Sequence, residues 1–212
     1  MTLPARDLYA KCCFTEEQLD AFRQLYYKWF APHMPDTYDG TATVALWWPN
    51  EKWEPTKGKD INHKNYGFSV PECADDPLWK QHFEPMLPFM AKDAVITKLP
   101  PGATMHPHID RSWRAQAIYI PIEGCSPECY SEYYELPKID SPNRQSQSVH
   151  PQPIYKYAIY DNAYLTNVHE WHGVRNTSDK TRIAFGWNFH PIQKWPYTQC
   201  RDKMIELGYV RE

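Results

Sequence analysis

The sequence predicts a mainly β protein, an all-β sandwich or jelly roll with N-terminal helices packed on one sheet. Three observations lead there. From Asp93 onward helical periodicity nearly disappears, and short runs of branched and aromatic residues recur between turn residues. The strongly amphipathic segment lies early, over residues 15–31. A length of 212 residues suits one sizeable core, so a single domain is expected. Residues 1–92 would be helical and strand support, 93–192 the β core and 193–212 a C-terminal extension.

Residues 15–31, "TEEQLDAFRQLYYKWFA", open with a Thr-x-x-Gln capping box at Thr15 and Gln18. They put Leu19, Phe22, Leu25, Tyr26, Trp29 and Phe30 on one helical face, and Pro32 ends the run. "TATVALWW", residues 41–48, reads as a strand, and the polar stretch 49–64 as a loop. Asp76-Pro77 starts a second helix, with a capping residue followed by Pro at the first helical position. Strands are then expected at 94–99, 114–122, 129–135, 154–160, 163–168, 172–176 and 181–189. The segment 137–152, "PKIDSPNRQSQSVHPQ", is polar and reads as a long loop able to act as a lid.

Composition narrows the function classes. Aromatics make up 15% of the chain, with 9 Trp and 15 Tyr, more than core filling alone usually needs, so some are expected to line a pocket. No stretch approaches the roughly 20 apolar residues of a membrane span. The opening "MTLPARDLYAKCC" lacks the apolar centre of a secretory signal, so a soluble, cytoplasmic protein without a membrane partner is expected. A net charge of -3 with no long basic run gives no support to nucleic-acid binding. The six cysteines resemble neither a disulfide framework nor a paired zinc module; Cys125 and Cys129 form an isolated C-x3-C.

The chemistry concentrates in "MHPHIDRSWR", residues 105–114. In a strand, positions i and i+2 project to the same side, so His108 and Asp110 can reach one ion while Ile109 faces away. Two imidazoles and one carboxylate on one face of an octahedral metal mark the non-haem Fe(II) oxygenases. The competing pair, His82 and Glu84, falls in a helical pattern, where i and i+2 diverge. A third ligand can come from "NVHEWHGVRNTSDKTRIAFGW", which offers His169 and His172. Arg182 follows His172 by ten residues across the turn "NTSDK", so an antiparallel hairpin would return it toward the metal. His106 is the rival within the first motif and His169 the rival for the third ligand. For Arg182 the plainer reading is an ion pair with a surface carboxylate such as Asp179.

"LPPGATMHPHID" followed by "YAIYDNAYLTNVHEWHGVRNTSDKTRIAFGWNFHP" resembles the Fe(II)- and 2-oxoglutarate-dependent oxygenase superfamily over roughly residues 94–192. Within it the likeness is to the aspartyl/asparaginyl β-hydroxylase-like branch, which includes free-proline hydroxylases, through the leading "LPPG" and the later "D...H...N-x-x-x-x-x-R" pattern. The resemblance implies a double-stranded β-helix, the cupin-like form of jelly roll. It implies His108, Asp110 and His172 as iron ligands, and Arg182 as the partner of the distal carboxylate of 2-oxoglutarate. It offers Arg114 as a second cosubstrate contact, with Gln116 where that branch often has His. Several members of the branch carry Gly in place of the carboxylate ligand, and related halogenases a small residue there, so Asp110 points to a full two-His-one-carboxylate site and away from halogenation.

The expected activity is therefore hydroxylation by a dioxygenase that uses Fe(II), 2-oxoglutarate and O2 and releases succinate and CO2. The expected substrate is an amino acid, free or within a peptide. Arg111, Arg114, Arg144 or Arg175 would meet its carboxylate, and the loops 47–68 and 137–152 would cap the pocket. Trp113, Trp171 and Trp187 are candidates to wall it, or to pack in the core. Two other readings compete. A cupin-like isomerase, lyase or dioxygenase would use the metal without 2-oxoglutarate and would have no need of Arg182. A non-catalytic β-sandwich would keep a metal for stability alone.

Overall fold

The computed structural model describes residues 3–34, 40–45, 65–110, 116–138, 145–147, 151–189 and 195–212. In chain order its main elements are β1 (Tyr9–Lys11), α1 (Glu16–Leu25), β2 (Gly40–Ala45), β3 (Asn65–Ser69), α2 (Pro77–Phe83), β4 (Met90–Leu99), β5 (Thr104–Ile109) and β6 (Ala117–Glu123). Then follow β7 (Cys129–Tyr133), β8 (Gln145–Ser146), β9 (Tyr155–Ala158), β10 (Tyr164–Thr166), β11 (His172–Asn176), β12 (Arg182–Phe189) and α3 (Tyr197–Glu206). No helix among the described residues is long and apolar enough to cross a membrane.

The strands form two mainly antiparallel sheets. Seven strands run in the order β1-β10-β6-β12-β4-β2-β3, and five in the order β8-β5-β11-β7-β9. Within the seven-stranded sheet β2 and β3 pair in parallel. The sheets meet face to face at one end through tyrosines. Tyr9 stacks on Tyr157 at 4.2 Å, the Tyr157 hydroxyl bonds Thr166 Oγ1 at 2.9 Å, and the Tyr133 hydroxyl donates to the Leu8 carbonyl at 2.6 Å.

The other face of the seven-stranded sheet carries the helices, for reasons visible in the sequence. Thr15 and Gln18 form the expected capping box of α1. Its apolar stripe buries Leu19, Phe22 and Leu25, and the chain continues as a π-helical turn over Tyr26–Phe30. Asp76 caps α2 by accepting from the Leu78 N–H. Phe22 of α1 then meets Phe83 and Trp79 of α2 and Trp187 of β12, with ring centroids 4.3, 5.6 and 5.6 Å away. Trp187 therefore belongs to this core rather than to a pocket wall.

Several expectations need correction. The strand at β5 was not among those expected, although the His-x-Asp argument presumed extended chain; Ile109 ends it and Asp110 is the first residue beyond. β11 and β12 do not form a hairpin, because residues 177–181 cross from the five-stranded to the seven-stranded sheet. Part of the expected loop 137–152 is the edge strand β8, which pairs with Ile109 and His108. The C-terminal extension contains α3, which buries Tyr197, Cys200 and Met204 in the helix-side core and stops at Gly208, whose φ of 78° suits glycine. Residues 46–64, which include most of the expected capping loop 47–68, lie outside the described residues, as do 111–115, 139–144, 148–150 and 190–194.

Candidate metal centre

His108 and His172 are cross-strand partners on β5 and β11, which puts their rings side by side with centroids 4.3 Å apart. Asp110 follows two residues after His108, and its Oδ1 lies 3.7 Å from His108 Nε2. One ligand atom from each of the three residues lies within 4.8 Å of the others, and all three are buried. This group could hold a metal ion.

The main chain decides which imidazole nitrogen is left to meet an ion. His108 Nδ1 bonds the His106 carbonyl at 2.7 Å, and His172 Nδ1 bonds the Glu170 carbonyl at 2.9 Å. A carbonyl only accepts, so each Nδ1 carries a hydrogen, and in the neutral imidazole the lone pair is then on Nε2. At 3.7 Å the lone pair of His108 Nε2 and the Asp110 carboxylate are too far apart for a hydrogen bond. A cation bound between them would be shared by both. Two neutral imidazoles with one carboxylate suit a divalent first-row metal.

The rival ligands are accounted for. His106 is exposed and serves the site through its carbonyl. His169 Nδ1 lies 3.1 Å from Gln116 Nε2, outside the group of three. Gln116 itself is a brace. Its Nε2 also reaches Asn167 Oδ1 at 3.3 Å, and its Oε1 accepts the Val168 N–H at 3.0 Å. The Val168 carbonyl in turn accepts the Asp110 N–H at 3.0 Å. Both amide hydrogens of Gln116 are thus engaged with the 167–169 turn, so the structure gives it a different use from the cosubstrate contact expected. Arg114 and Trp113 lie outside the described residues. Arg175, expected as a possible substrate contact, is taken up by Glu132, which its Nε meets at 2.7 Å. Trp171 packs with Ile109 and Tyr134 and donates to the Pro137 carbonyl.

Arg182 opens β12, is 3% exposed, and donates from Nη1 to Thr97 Oγ1 at 3.2 Å. Among the described residues it has no carboxylate partner, Asp179 included, and its Nε has no hydrogen-bond partner. Cys125 and Cys129 lie near it, but burial pushes both thiols up more than the guanidinium pulls them down, Cys129 to about 11. Neither supplies a counter-charge at neutral pH. Asn176, on the same strand as His172, donates to the carbonyl of Leu99, the cross-strand partner of Arg182. His172 and Arg182 therefore sit near opposite ends of β11, roughly 13 Å apart along the strand at about 3.3 Å per residue. Val174, midway on the same face, is only half-buried.

Sequence reasoning missed the Gln116 brace and the two carbonyls that orient the imidazoles. Main-chain acceptors leave no residue-type signal, and the brace joins segments some fifty positions apart.

No protein family profile matches the chain, and no curated protein matches it. Among solved structures, the X-ray structure of E. coli ycfD is similar over 57% of this chain and 30% of that one, at 16% identity and a TM-score of 0.38.

Proposed function

We propose that the protein is an Fe(II)- and 2-oxoglutarate-dependent dioxygenase that hydroxylates an unactivated C–H bond of an amino acid or peptide residue. The observation that carries this reading is a pairing: a buried two-His-one-carboxylate group, and a buried guanidinium that no carboxylate among the described residues neutralises. Ligand holding alone would explain the first. An anionic ligand would explain the second, and a dicarboxylate offers one carboxylate to the metal and the other to the guanidinium. A double-stranded β-helix is proposed for the core. Its support is the strand order, in which β4, β6, β10 and β12 fall in one sheet and β5, β7, β9 and β11 in the other.

In this reading His108 Nε2, His172 Nε2 and an Asp110 oxygen hold the iron. Arg182 takes the distal carboxylate of 2-oxoglutarate, with Thr97 steadying the guanidinium. The chemistry supplied when iron and 2-oxoglutarate are bound is oxidative: one atom of O2 enters the substrate C–H bond, the other enters succinate, and CO2 leaves. The chain's own part is to hold the ligand nitrogens in one tautomer, orient the cosubstrate and keep water from the reacting carbon. The six free cysteines support residence in a reducing compartment such as the cytoplasm.

Anaerobic titration with Fe(II) and 2-oxoglutarate tests the proposal. A weak visible charge-transfer band that needs both additions is expected. Its absence where iron binds would refute the reading, and the cupin-like enzyme that ignores 2-oxoglutarate would replace it. A mass search for products that have gained one oxygen then identifies the substrate.

A further inference from the structure

Residues of β12 alternate between two surroundings. Ile183, Phe185, Trp187 and Phe189 belong to the core beneath the helices. Arg182, Ala184, Gly186 and Asn188 therefore face the space between the sheets. The middle of that inward row is small, and the Tyr119 ring lies against Gly186, where a Cβ would come within 2.8 Å of it. Its two ends are polar. Each carries a buried atom with no hydrogen-bond partner among the described residues: Arg182 Nε and Asn188 Oδ1.

The proposed cosubstrate answers for Arg182, and nothing yet answers for Asn188. Its side chain makes no hydrogen bond among the described residues and it is 4% exposed. Folded proteins leave few buried carboxamides in that state, because a desolvated acceptor without a donor is unfavourable. Asn188 also stands at the metal end of the row. Its cross-strand partner is Ala117, next to Gln116, and Gln116 leads through Val168 to Asp110 by the two hydrogen bonds described above.

We propose that Asn188 is a substrate-binding residue whose carboxamide oxygen accepts a hydrogen bond from a neutral amide N–H. The substrate class is then a peptide residue or an N-acylated amino acid rather than a free amino acid. This rests on the oxygenase reading of the same site. The choice of a neutral donor follows from charge: Asn188 cannot offset a buried ammonium, and the carboxylate reached through Gln116, Asp110, is a metal ligand.

The test uses the full chain loaded with Mn(II), a redox-silent stand-in for iron, and 2-oxoglutarate, with thermal denaturation as the readout. The probes are N-acetyl amino-acid N-methylamides across the standard side chains, and the matching free amino acids. At least one amide probe should raise the wild-type midpoint, and Asn188→Leu should weaken that probe about tenfold or more. Asn188→Leu should keep the rise due to Mn(II) and 2-oxoglutarate, and without ligands should melt no lower than wild type, because it surrenders no hydrogen bond. The proposal is overturned if no amide probe stabilises wild type, if free amino acids bind better, or if Asn188→Leu binds the amide unchanged. It is also overturned if Asn188→Leu and Asn188→Ala both melt several degrees lower, which would reveal a structural bond. A wild type that Mn(II) and 2-oxoglutarate fail to stabilise would refute the oxygenase reading instead, and the amide comparison is then read on the metal-free protein.

Discussion

At the scale of single residues, two buried charges behave in opposite ways. Glu132 is held on three sides, by the Arg175 guanidinium, the Lys156 ammonium at 3.3 Å and the Tyr134 hydroxyl at 2.5 Å. Burial alone would raise its carboxyl, but the Tyr134 and Arg175 hydrogen bonds outweigh it and hold the group below the usual carboxylate range. A depressed carboxylate stabilises the fold above its unfolded pKa of about 4.3 and loses that contribution as pH falls through the folded value. Glu132→Gln should thus cost about 1.5–3 kcal/mol near neutral pH and progressively less in acid. Denaturant titrations from pH 7 to below pH 4 check this, and a gap independent of pH would contradict it. Arg182 has no such cage. Arg182→Met should leave ligand-free stability equal or higher, while raising the 2-oxoglutarate requirement by roughly 10- to 100-fold. A variant that melts lower with an unchanged 2-oxoglutarate requirement would mean the guanidinium has a structural partner.

At the scale of elements, the candidate metal-binding group depends on how closely β5 and β11 approach. Gly173 follows His172, and a Cβ there would come 2.8 Å from the Met105 carbonyl oxygen, just ahead of His106 and His108. The register between the strands shifts over the same interval, His172 pairing with His108 but Val174 with Met105. Gly173→Ala should push β5 away, cost about 1–3 kcal/mol and weaken metal binding. Wild-type melting and wild-type metal affinity in that variant would show that the backbones tolerate the methyl group. Legibility followed the same division. α1 and α2 were readable because their caps and stripes are local, and β11 because its branched and polar residues stand between turns. The short strands β1 and β8 were not, since three or two residues carry no period and their pairing partners lie far along the chain. α3 did carry a signal, with Pro196 before it, Tyr197, Cys200 and Met204 on one face, and Gly208 after it.

At the scale of the whole molecule, the candidate site draws on both sheets: its ligand pair lies on β5 and β11, and Arg182 on β12. Metal bound only to the folded state should therefore stabilise the entire chain. Excess Mn(II) should raise the melting temperature, by an equivalent of ~2.7 kcal/mol at roughly hundredfold excess over Kd, and a chelator should reverse it. His108→Ala and Asp110→Ala should fold with native circular dichroism and show no metal-dependent rise. A rise retained in both variants would place the ion elsewhere.

The sequence by itself determined the residue types, their spacing and the periodicities, and these sufficed to single out His108, Asp110, His172 and Arg182 and to set helices apart from strands. Only the tertiary structure grouped His172, and not His169, with His108 and Asp110, bonded each Nδ1 to a main-chain carbonyl, and gave Arg175 to Glu132 and Gln116 to the 167–169 turn. It also brought out Asn188. The reason is physical: ligand identity is written in side-chain chemistry, which sequence records directly. Orientation and satisfaction depend on which distant backbone and side-chain groups a fold brings within about 3 Å.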